Sequence, residues 1–300
     1  MSENNNIPLA IIGAGPAGLS AGIYTARAGI NTLIFGSEPK VAGDYDIDNY
    51  FGFHETITGR ELITRGRMQA QRFGARITDA KVLSLHHGDN GGFRIHTDSG
   101  EYTACGIILA TGVARVRPGI ANLTDYEGKG VSYCVSCDGF FYKGRKVVVL
   151  GEGIYAANQA LELLTYTPHV TICTQGGTLN MTEAFSKQLK TAGIPVLETR
   201  VTSLAGDNGL SSVTLQEGGS LEAEGLFIAM GEASSLDFAY SLGVERNGVF
   251  LVADNEQRTN IQGVFAAGDC TGGFMQIGVA VGEGAKAAKA AISYVKKLCA

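Results

Sequence analysis

The sequence contains no tryptophan, and it has only six prolines and six cysteines among 300 residues. No apolar stretch reaches the ~18–20 residues that a membrane-spanning helix needs, so we expect no membrane association. The net charge is −5 and like charges never form a block, which argues against a nucleic-acid partner. Six scattered cysteines are too few for the framework of a secreted disulfide-rich protein. The N-terminus lacks the basic and apolar regions of a signal peptide, so we expect a cytoplasmic protein.

Glycine is abundant instead, with 42 residues, and it forms a Gly-x-Gly-x-x-Gly turn near the N-terminus. Apolar patterning predicts a strand at 7–12, a helix at 16–28 and a second strand at 31–35. In such a unit the glycines permit a sharp turn, close approach of a pyrophosphate and tight helix packing. Glu38, twenty residues after Gly18, is placed to accept hydrogen bonds from ribose hydroxyls. The turn itself consists of Gly13, Ala14, Gly15, Pro16, Ala17 and Gly18.

A second unit in the middle of the chain repeats this order. We predict a strand at 146–150, a helix at 154–164 and a strand at 170–174. The turn between the first strand and the helix is formed by Gly151, Glu152, Gly153, Ile154, Tyr155 and Ala156. We therefore predict an α/β fold of two Rossmann-like three-layer domains, the second inserted into the first. The outer domain would comprise residues 1–113 and 246–300, and the central domain residues 114–245.

The second turn departs from a working dinucleotide site. Glu152 places a carboxylate near any incoming phosphate, and the second strand is followed by Thr174-Gln-Gly-Gly177. No Lys or Arg occurs between Val170 and Phe185 to bind a 2′-phosphate, and no acid precedes Glu183 to bind a ribose. Neither NADP nor NAD has its usual contacts in this stretch.

A Cys-x-x-Cys pair, Cys134 and Cys137, precedes the second turn, and Asp138 follows it directly. This spacing lowers one thiol pKa and keeps the second thiol near enough to resolve a mixed disulfide. Asp138 could return a proton to a leaving thiol. A zinc half-site is the alternative, but no second pair of ligands accompanies it, so we expect no metal. The other cysteines are expected to be buried small hydrophobes or inert surface thiols: Cys105, Cys173, Cys270 and Cys299.

These motifs stand in the order and spacing of the low-molecular-weight thioredoxin reductases, which the chain resembles over essentially its whole length. The motifs are Gly13–Gly18, Ala110-Thr111-Gly112, Cys134–Tyr142 and Ala266-Ala-Gly268-Asp269. The resemblance implies FAD in the outer domain, a dithiol in the central domain, a thioredoxin-like protein substrate and a cytoplasmic homodimer. It assigns Cys134 to attack on the substrate disulfide and Cys137 to the flavin side.

The resemblance also implies a set of FAD-site positions. Asn49 faces the flavin, Asp269 holds the ribityl chain, and Gln276 belongs to a pair whose usual arginine is replaced here by Met275. The FAD-site positions are Gly13, Gly15, Pro16, Ala17, Gly18, Glu38, Asn49, Thr111, Gly112, Asp269, Gln276 and Ile277. The second, nucleotide-like site keeps Gly151, Gly153, Tyr155 and Ala156.

The atypical second turn leaves the source of electrons open. The pattern is similar to the pyridine-nucleotide-independent branch of the family, whose members use ferredoxin, a deazaflavin or a second FAD. Tyr155 could stack on a second flavin, although a tyrosine at a helix start is typical of ordinary packing. The alternatives are an NADPH-dependent reductase with an atypical site, a flavin-binding redox sensor, and a flavin reductase of small acceptors. Asp138 weighs against the last two, which need no proton donor for a leaving thiol.

Overall fold

The computed structural model describes residues 5–299, except 44, 45, 90, 114–117, 134 and 232, and it leaves the side chains of residues 40, 136 and 137 undescribed. The helices are α1 (Pro16–Arg27), α2 (Gly59–Arg72), α3 (Val135–Asp138), α4 (Ile154–Leu163), α5 (Glu183–Ala192), α6 (Ser235–Leu242) and α7 (Ile277–Leu298). The strands are β1 (Asn6–Ile12), β2 (Thr32–Phe35), β3 (Asp46–Ile47), β4 (Ile57–Thr58), β5 (Arg76–Thr78), β6 (Val82–His87), β7 (Phe93–Thr97), β8 (Gly100–Leu109), β9 (Val131–Ser132), β10 (Val147–Leu150), β11 (Val170–Cys173), β12 (Val196–Leu197), β13 (Val201–Ala205), β14 (Ser212–Leu215), β15 (Ser220–Glu222), β16 (Gly225–Ile228), β17 (Arg246–Asn247), β18 (Phe250–Leu251) and β19 (Val264–Ala266).

Two compact units make up the chain. Unit 1 combines Met1–Ala114 with Ser234–Ala300, and unit 2 is Arg115–Ala233. Unit 1 is built on a sheet with the strand order β5-β2-β1-β8-β7-β6, in which β19 also pairs with β8. Strands β5, β2, β1, β8 and β19 run parallel, whereas β6 and β7 are joined by antiparallel pairing.

Burial explains the apolar runs of the parallel strands. Every residue of β2 and β19 is buried, as expected for strands that are covered on both faces. Helices α1 and α7 pack against each other, and their small residues belong to one core with Leu9, Ile11 and Ile108 of the sheet.

Unit 2 repeats this construction on a smaller scale. Its main sheet has the order β12-β11-β10-β16-β9 and is parallel throughout. A separate antiparallel sheet contains β13, β14 and β15. The α/β fold class predicted from the sequence is confirmed, and the elements around both glycine turns lie within a residue or two of their predicted bounds.

The second boundary between the units lies earlier than predicted. The structure places it between 233 and 234, whereas the sequence pattern placed it between 245 and 246. Helix α6 accounts for the difference, because it packs on β6 of unit 1 and the backbone oxygen of Leu242 lies 3.0 Å from His87 Nε2. Among the described residues, no helix is both long and apolar enough to cross a bilayer.

Candidate functional site

The first glycine turn in unit 1 depends on the absence of side chains. Gly13 has φ +118°, and a Cβ there would overlap the backbone oxygen of Ala110 at the end of β8. A Cβ on Gly18 would overlap the backbone oxygen of Gly13. The turn therefore brings β1, α1 and β8 closer together than any other residue would allow.

The N-terminus of α1 is open toward a ligand. Gly15 caps the helix without any side-chain hydrogen bond, and Pro16 is its first residue. The first N–H groups of such a helix have no intrahelical partner and attract an anion. A Cβ on Gly15 would have only the Cβ of Pro39 nearby, at 3.9 Å, so the backbone can approach a pyrophosphate here.

The acid after β2 is oriented by a cation that the sequence did not single out. Arg60 Nη1 donates a hydrogen bond to Glu38 Oε1 at 3.0 Å. Both side chains are more than half exposed, so the pair contributes little to stability. Its effect is to restrict the orientation of the carboxylate that, by the family resemblance, would accept a ribose hydroxyl.

The structure brings together Asn49 and Gln276, which are 227 residues apart. Asn49 Nδ2 donates to Gln276 Oε1 at 3.1 Å. Gln276 caps α7, and Ile277 is the first residue of that helix. Two positions that the resemblance assigns to the FAD site therefore lie side by side. Met275, where the family usually has arginine, is 43% exposed, so no buried charge is lost by the replacement.

The turn that carries Asp269 is held by a residue that sequence reasoning missed. Glu283 Oε2 accepts hydrogen bonds from the backbone N–H of Gly268 at 2.7 Å and from Thr271 Oγ1 at 3.1 Å. Glu283 lies seven residues after Gln276, which is two helical turns along the same face of α7. That spacing is the signal that could have identified it.

An unsatisfied buried atom marks the same site. Thr111 Oγ1 is buried and has no hydrogen-bond partner among the described residues. Buried hydroxyls are normally paired, so this one is suited to a ligand atom. The open Gly15 turn, the oriented Glu38 and the adjacent Asn49 and Gln276 side chains complete a set of residues that fits FAD.

The redox pair is described only in part. Cys134 lies outside the described residues, and Cys137 belongs to α3 with its side chain undescribed. Asp138 ends this helix, and its Oδ2 accepts a hydrogen bond from Ser132 Oγ at 2.6 Å. The Ser132 contact orients the carboxylate of Asp138, the residue that follows the second cysteine in sequence.

Aromatic residues surround the segment after Asp138. Phe140 and Phe141 are each 68% exposed. Tyr142 packs edge-on against Phe227 of β16, with ring centroids 5.1 Å apart. Burial, and to a smaller extent the Asp138 carboxylate, raises the pKa of Tyr142. The 3₁₀ turn Gly139–Tyr142 thus has a fixed end in the core and two apolar rings at the surface.

The second glycine turn copies the backbone of the first. The N–H of Gly151 donates to the backbone oxygen of Cys173 at 2.9 Å, as Gly13 does to Phe35 at 2.7 Å. A Cβ on Gly151 would overlap the backbone oxygen of Ala229, as one on Gly13 would overlap that of Ala110. The internal repeat inferred from the sequence therefore extends to individual main-chain contacts.

The ligand-facing side of this second turn is closed. In a dinucleotide unit, the ribose lies between the glycine turn and the end of the second strand. Here the N–H of Asn180 donates to the backbone oxygen of Glu152 at 2.7 Å. The Glu152 side chain lies against Gly177, 3.6 Å from where a Cβ would stand, and its Oε2 is buried with no hydrogen-bond partner in the described part of the chain. The chain's own residues therefore join the two edges between which a ribose would lie.

The turn after β11 is held by Gln175 and covered by Arg200. Gln175 has φ +57°, and its side chain donates to the backbone oxygen of Pro118 at 2.7 Å and accepts from the N–H of Val201 at 2.9 Å. Arg200 lies against Gly176, with Nε 2.9 Å from where a Cβ would stand. A cation is therefore present at this turn, although the stretch from Val170 to Phe185 contains none.

Tyr155 is 4% exposed and packs inside unit 2 with the buried face of α4. Its ring is not presented to solvent, and the stacking of Tyr155 on a second flavin stays a prediction. The expectation of ordinary packing at a helix start is the one that the structure supports.

The structure corrects the expectation for two of the remaining cysteines. Cys105 and Cys299 form a disulfide with a Cα–Cα distance of 6.1 Å, so they are not inert thiols. Cys173 and Cys270 are free and fully buried, as expected. Burial raises the pKa of Cys173 to about 11 and that of Cys270 to about 12, which keeps both protonated.

Comparison with known proteins agrees with this geometry. Residues 7–284 match the family model of the pyridine nucleotide-disulphide oxidoreductases. The thioredoxin reductase of Treponema pallidum is 36% identical, over 96% of this chain and 97% of the relative. The chain belongs to the thioredoxin reductase family.

Two solved thioredoxin reductases are informative about its branch. The atypical thioredoxin reductase TRi from Desulfovibrio vulgaris Hildenborough is 72% identical, with a TM-score of 0.96 and coverage of 98% of this chain and 99% of that one. A ferredoxin-flavin thioredoxin reductase from Clostridium acetobutylicum is 28% identical, with a TM-score of 0.73 and coverage of 97% and 99%. Thioredoxin reductases are oxidoreductases, so the prediction of an enzyme is confirmed.

Proposed function

We propose that this thioredoxin reductase uses one FAD in unit 1 and receives its electrons from a donor other than NADPH or NADH. The observation that carries the proposal is the closed second turn, where Asn180 bonds to Glu152 across the position of a ribose. Glu152 adds an acidic side chain at the place where phosphate would approach, which costs binding energy for any dinucleotide.

The chemistry at the dithiol would reduce a thioredoxin-like disulfide by two electrons. The Cys134 thiolate attacks one sulfur of the substrate, and Cys137 then attacks Cys134 to release the substrate as a dithiol. Asp138, oriented by Ser132, returns a proton to the leaving thiolate. FAD, when bound, supplies the two electrons that reduce the resulting Cys134–Cys137 disulfide.

Residues of unit 1 would position the cofactor for this step. Glu38 would accept a ribose hydroxyl, the α1 N-terminus would bind the pyrophosphate, and Thr111 Oγ1 would gain the partner it lacks. Asn49 and Gln276 would lie at the flavin ring, joined by their hydrogen bond.

Among the three donors that the family branch offers, the structure disfavours a second FAD. Tyr155 is buried, and the closed turn would exclude an adenosine from any dinucleotide, FAD included. A reduced low-potential partner such as ferredoxin, or a reduced deazaflavin, would instead deliver electrons directly to the flavin in unit 1. We further expect a homodimer in the cytoplasm, as the family resemblance implies.

One observation favours the second candidate, an NADPH-dependent reductase. Arg200, which lies against Gly176, could contact the 2′-phosphate of NADPH. The sequence of the turn itself offers no cation for this phosphate. If NADPH were the donor, Arg200→Gln would raise its KM about tenfold or more by removing a charge-assisted contact. Under our proposal the same substitution leaves donor kinetics unchanged.

The proposed chemistry is tested by thioredoxin reduction with a chemical low-potential donor. The wild-type chain should convert the disulfide of thioredoxin to two thiols, and Cys134→Ser should abolish this turnover while flavin stays bound. Cys173→Ala, which changes a buried cysteine of the same unit, is the matched control and should retain turnover. Full activity of Cys134→Ser would show that the dithiol is not the catalytic group.

A further inference from the structure

A second cysteine pair lies outside the proposed active site. Cys105 belongs to β8, and Cys299 follows the last residue of α7. Their Cα atoms are 6.1 Å apart, within the range of natural disulfides, and 194 residues separate them in sequence. Both cysteines lie in unit 1, so the bond joins the two segments of this unit.

Packing that does not involve sulfur keeps the pair together. The ring of Tyr294, one turn before the end of α7, lies 3.6 Å from where a Cβ of Gly106 would stand. The same ring packs edge-on against Phe265 of β19, with centroids 6.1 Å apart. The end of α7 is thus seated on β8 and β19 by contacts that do not involve the thiols.

The bond also connects the two elements that carry part of the candidate FAD site. Beyond Cys105, strand β8 continues to Leu109 and is followed by Ala110 and Thr111. Helix α7 extends from its cap, Gln276, to Leu298, which precedes Cys299. Six residues separate Cys105 from Thr111, and 23 separate Cys299 from Gln276. Opening the bond can therefore loosen the last turn of α7 without touching the cofactor residues.

Solvent access separates this pair from the other described cysteines. Cys105 and Cys299 are partly exposed, whereas Cys173 and Cys270 are fully buried. Thiol–disulfide exchange needs an accessible sulfur. Disulfides in reducing compartments are generally transient and serve catalysis or redox sensing.

We propose that Cys105–Cys299 is a second exchange site, opened by a dithiol protein of the thioredoxin type. A thiolate of the partner attacks one sulfur of the pair, forming a mixed disulfide and releasing the other cysteine as a thiolate. The second partner thiolate then resolves the mixed disulfide. The partner loses two electrons and becomes a disulfide, and Cys105 and Cys299 gain two electrons and two protons. The identity of this reductant rests on the proposed function, because reduced thioredoxin would be the enzyme's own product.

The test uses the flavin-loaded Cys134→Ser/Cys137→Ser variant, so that only the second pair can exchange. Thioredoxin is reduced chemically beforehand, removed from excess reductant and added without any electron donor. After alkylation of the folded protein, peptide mass spectrometry should find two new alkyl groups, one each on Cys105 and Cys299. Cys173 and Cys270 are the internal controls, which should remain unmodified until the protein is unfolded.

Each outcome decides between the alternatives. Alkylation of Cys105 and Cys299 before any reductant is added would show that the disulfide does not form and would overturn the inference. If dithiothreitol opened the Cys105–Cys299 disulfide but reduced thioredoxin did not, the proposed exchange with a protein dithiol would be wrong. Because the thioredoxin is reduced chemically, neither result depends on turnover by the wild-type enzyme. Failure of the proposed function would be seen separately, as an absence of thioredoxin reduction by the wild-type protein.

A second readout follows the structural consequence. The N–H of Cys299 donates to the backbone oxygen of Val295 at 2.9 Å and closes the last turn of α7. Reduction of the disulfide should speed hydrogen exchange at this amide. The Cys105→Ser/Cys299→Ser variant should show the faster exchange under both oxidising and reducing conditions. Equal exchange rates in oxidised and reduced wild-type protein would contradict the proposed loosening.

Discussion

Replacing Gly284 by alanine perturbs the contact through which α7 supports the first glycine turn. A Cβ on this residue would stand 2.9 Å from the backbone carbon of Ala17 and still nearer its oxygen. Ordinary contacts begin at 3.4 Å, so α1 and α7 must separate by at least about 0.5 Å at their crossing. Ala17 belongs to the first turn of α1, so the same movement shifts the N–H groups that are expected to bind pyrophosphate.

Two opposing terms set the size of this effect. Overpacking of a close helix contact costs about 1–3 kcal/mol. Alanine in a helix interior is favoured over glycine by about 1 kcal/mol, which offsets part of that cost. The expected net loss is up to about 2 kcal/mol of folding free energy. Misplacement of the phosphate-binding turn should weaken FAD binding in addition.

Gly282 provides a matched control on the same helix, because nothing lies within 4 Å of a Cβ there. Gly282→Ala should raise the unfolding free energy by up to about 1 kcal/mol and leave FAD affinity unchanged. Denaturant unfolding and fluorescence titration with FAD measure both quantities. If Gly284→Ala proved as stable and as tight a binder of FAD as Gly282→Ala, the inferred closeness of α1 and α7 would be wrong.

Three further predictions concern the two sites and the disulfide. Thr111→Val keeps the side-chain volume but removes the unpaired hydroxyl, so the apoprotein should be no less stable. The free energy of FAD binding should weaken by about 0.5–1.5 kcal/mol in a fluorescence titration, and unchanged affinity would mean that the hydroxyl does not contact FAD. Asp138→Asn should lower kcat for thioredoxin by about 10²-fold, more than Ser132→Ala, with FAD content unchanged, and equal losses in the two variants would argue against proton transfer by Asp138. The Cys105→Ser/Cys299→Ser variant should lose up to about 5 kcal/mol of unfolding free energy in oxidising buffer, because the disulfide spans 194 residues. An unshifted denaturation midpoint would contradict a formed disulfide.

Local patterns in the sequence were sufficient for the elements that carry the sites. Glycine spacing and apolar runs predicted β1, α1 and β2 closely, since only glycine fits the overlaps at Gly13 and Gly18. The assignment of Asn49 and Gln276 to one FAD site came from family resemblance, because no local pattern relates residues 227 positions apart.

Contacts set by the path of the chain could not be predicted in this way. Cys105 and Cys299 carry no motif, and the packing of the end of α7 on β8 and β19 brings them together. Arg200 reaches the turn at Gly176 from beyond β12, although the sequence near that turn has no cation. The packing of α6 on β6 likewise moved the boundary between the units, because a short amphipathic helix does not specify which sheet it will cover.

The closing of the second turn by Asn180 and Glu152 is the central claim, and direct reduction of the flavin tests it. A site that lacks its charge-assisted phosphate contacts loses roughly 1.5–3 kcal/mol for each, or tenfold and more in affinity. Anaerobic stopped-flow mixing with NADPH or NADH at millimolar concentration should therefore bleach the flavin band very little. Reduced ferredoxin or another low-potential donor should bleach it and then support thioredoxin reduction. Rapid, saturable bleaching by micromolar NADPH would contradict the account and identify an NADPH-dependent reductase.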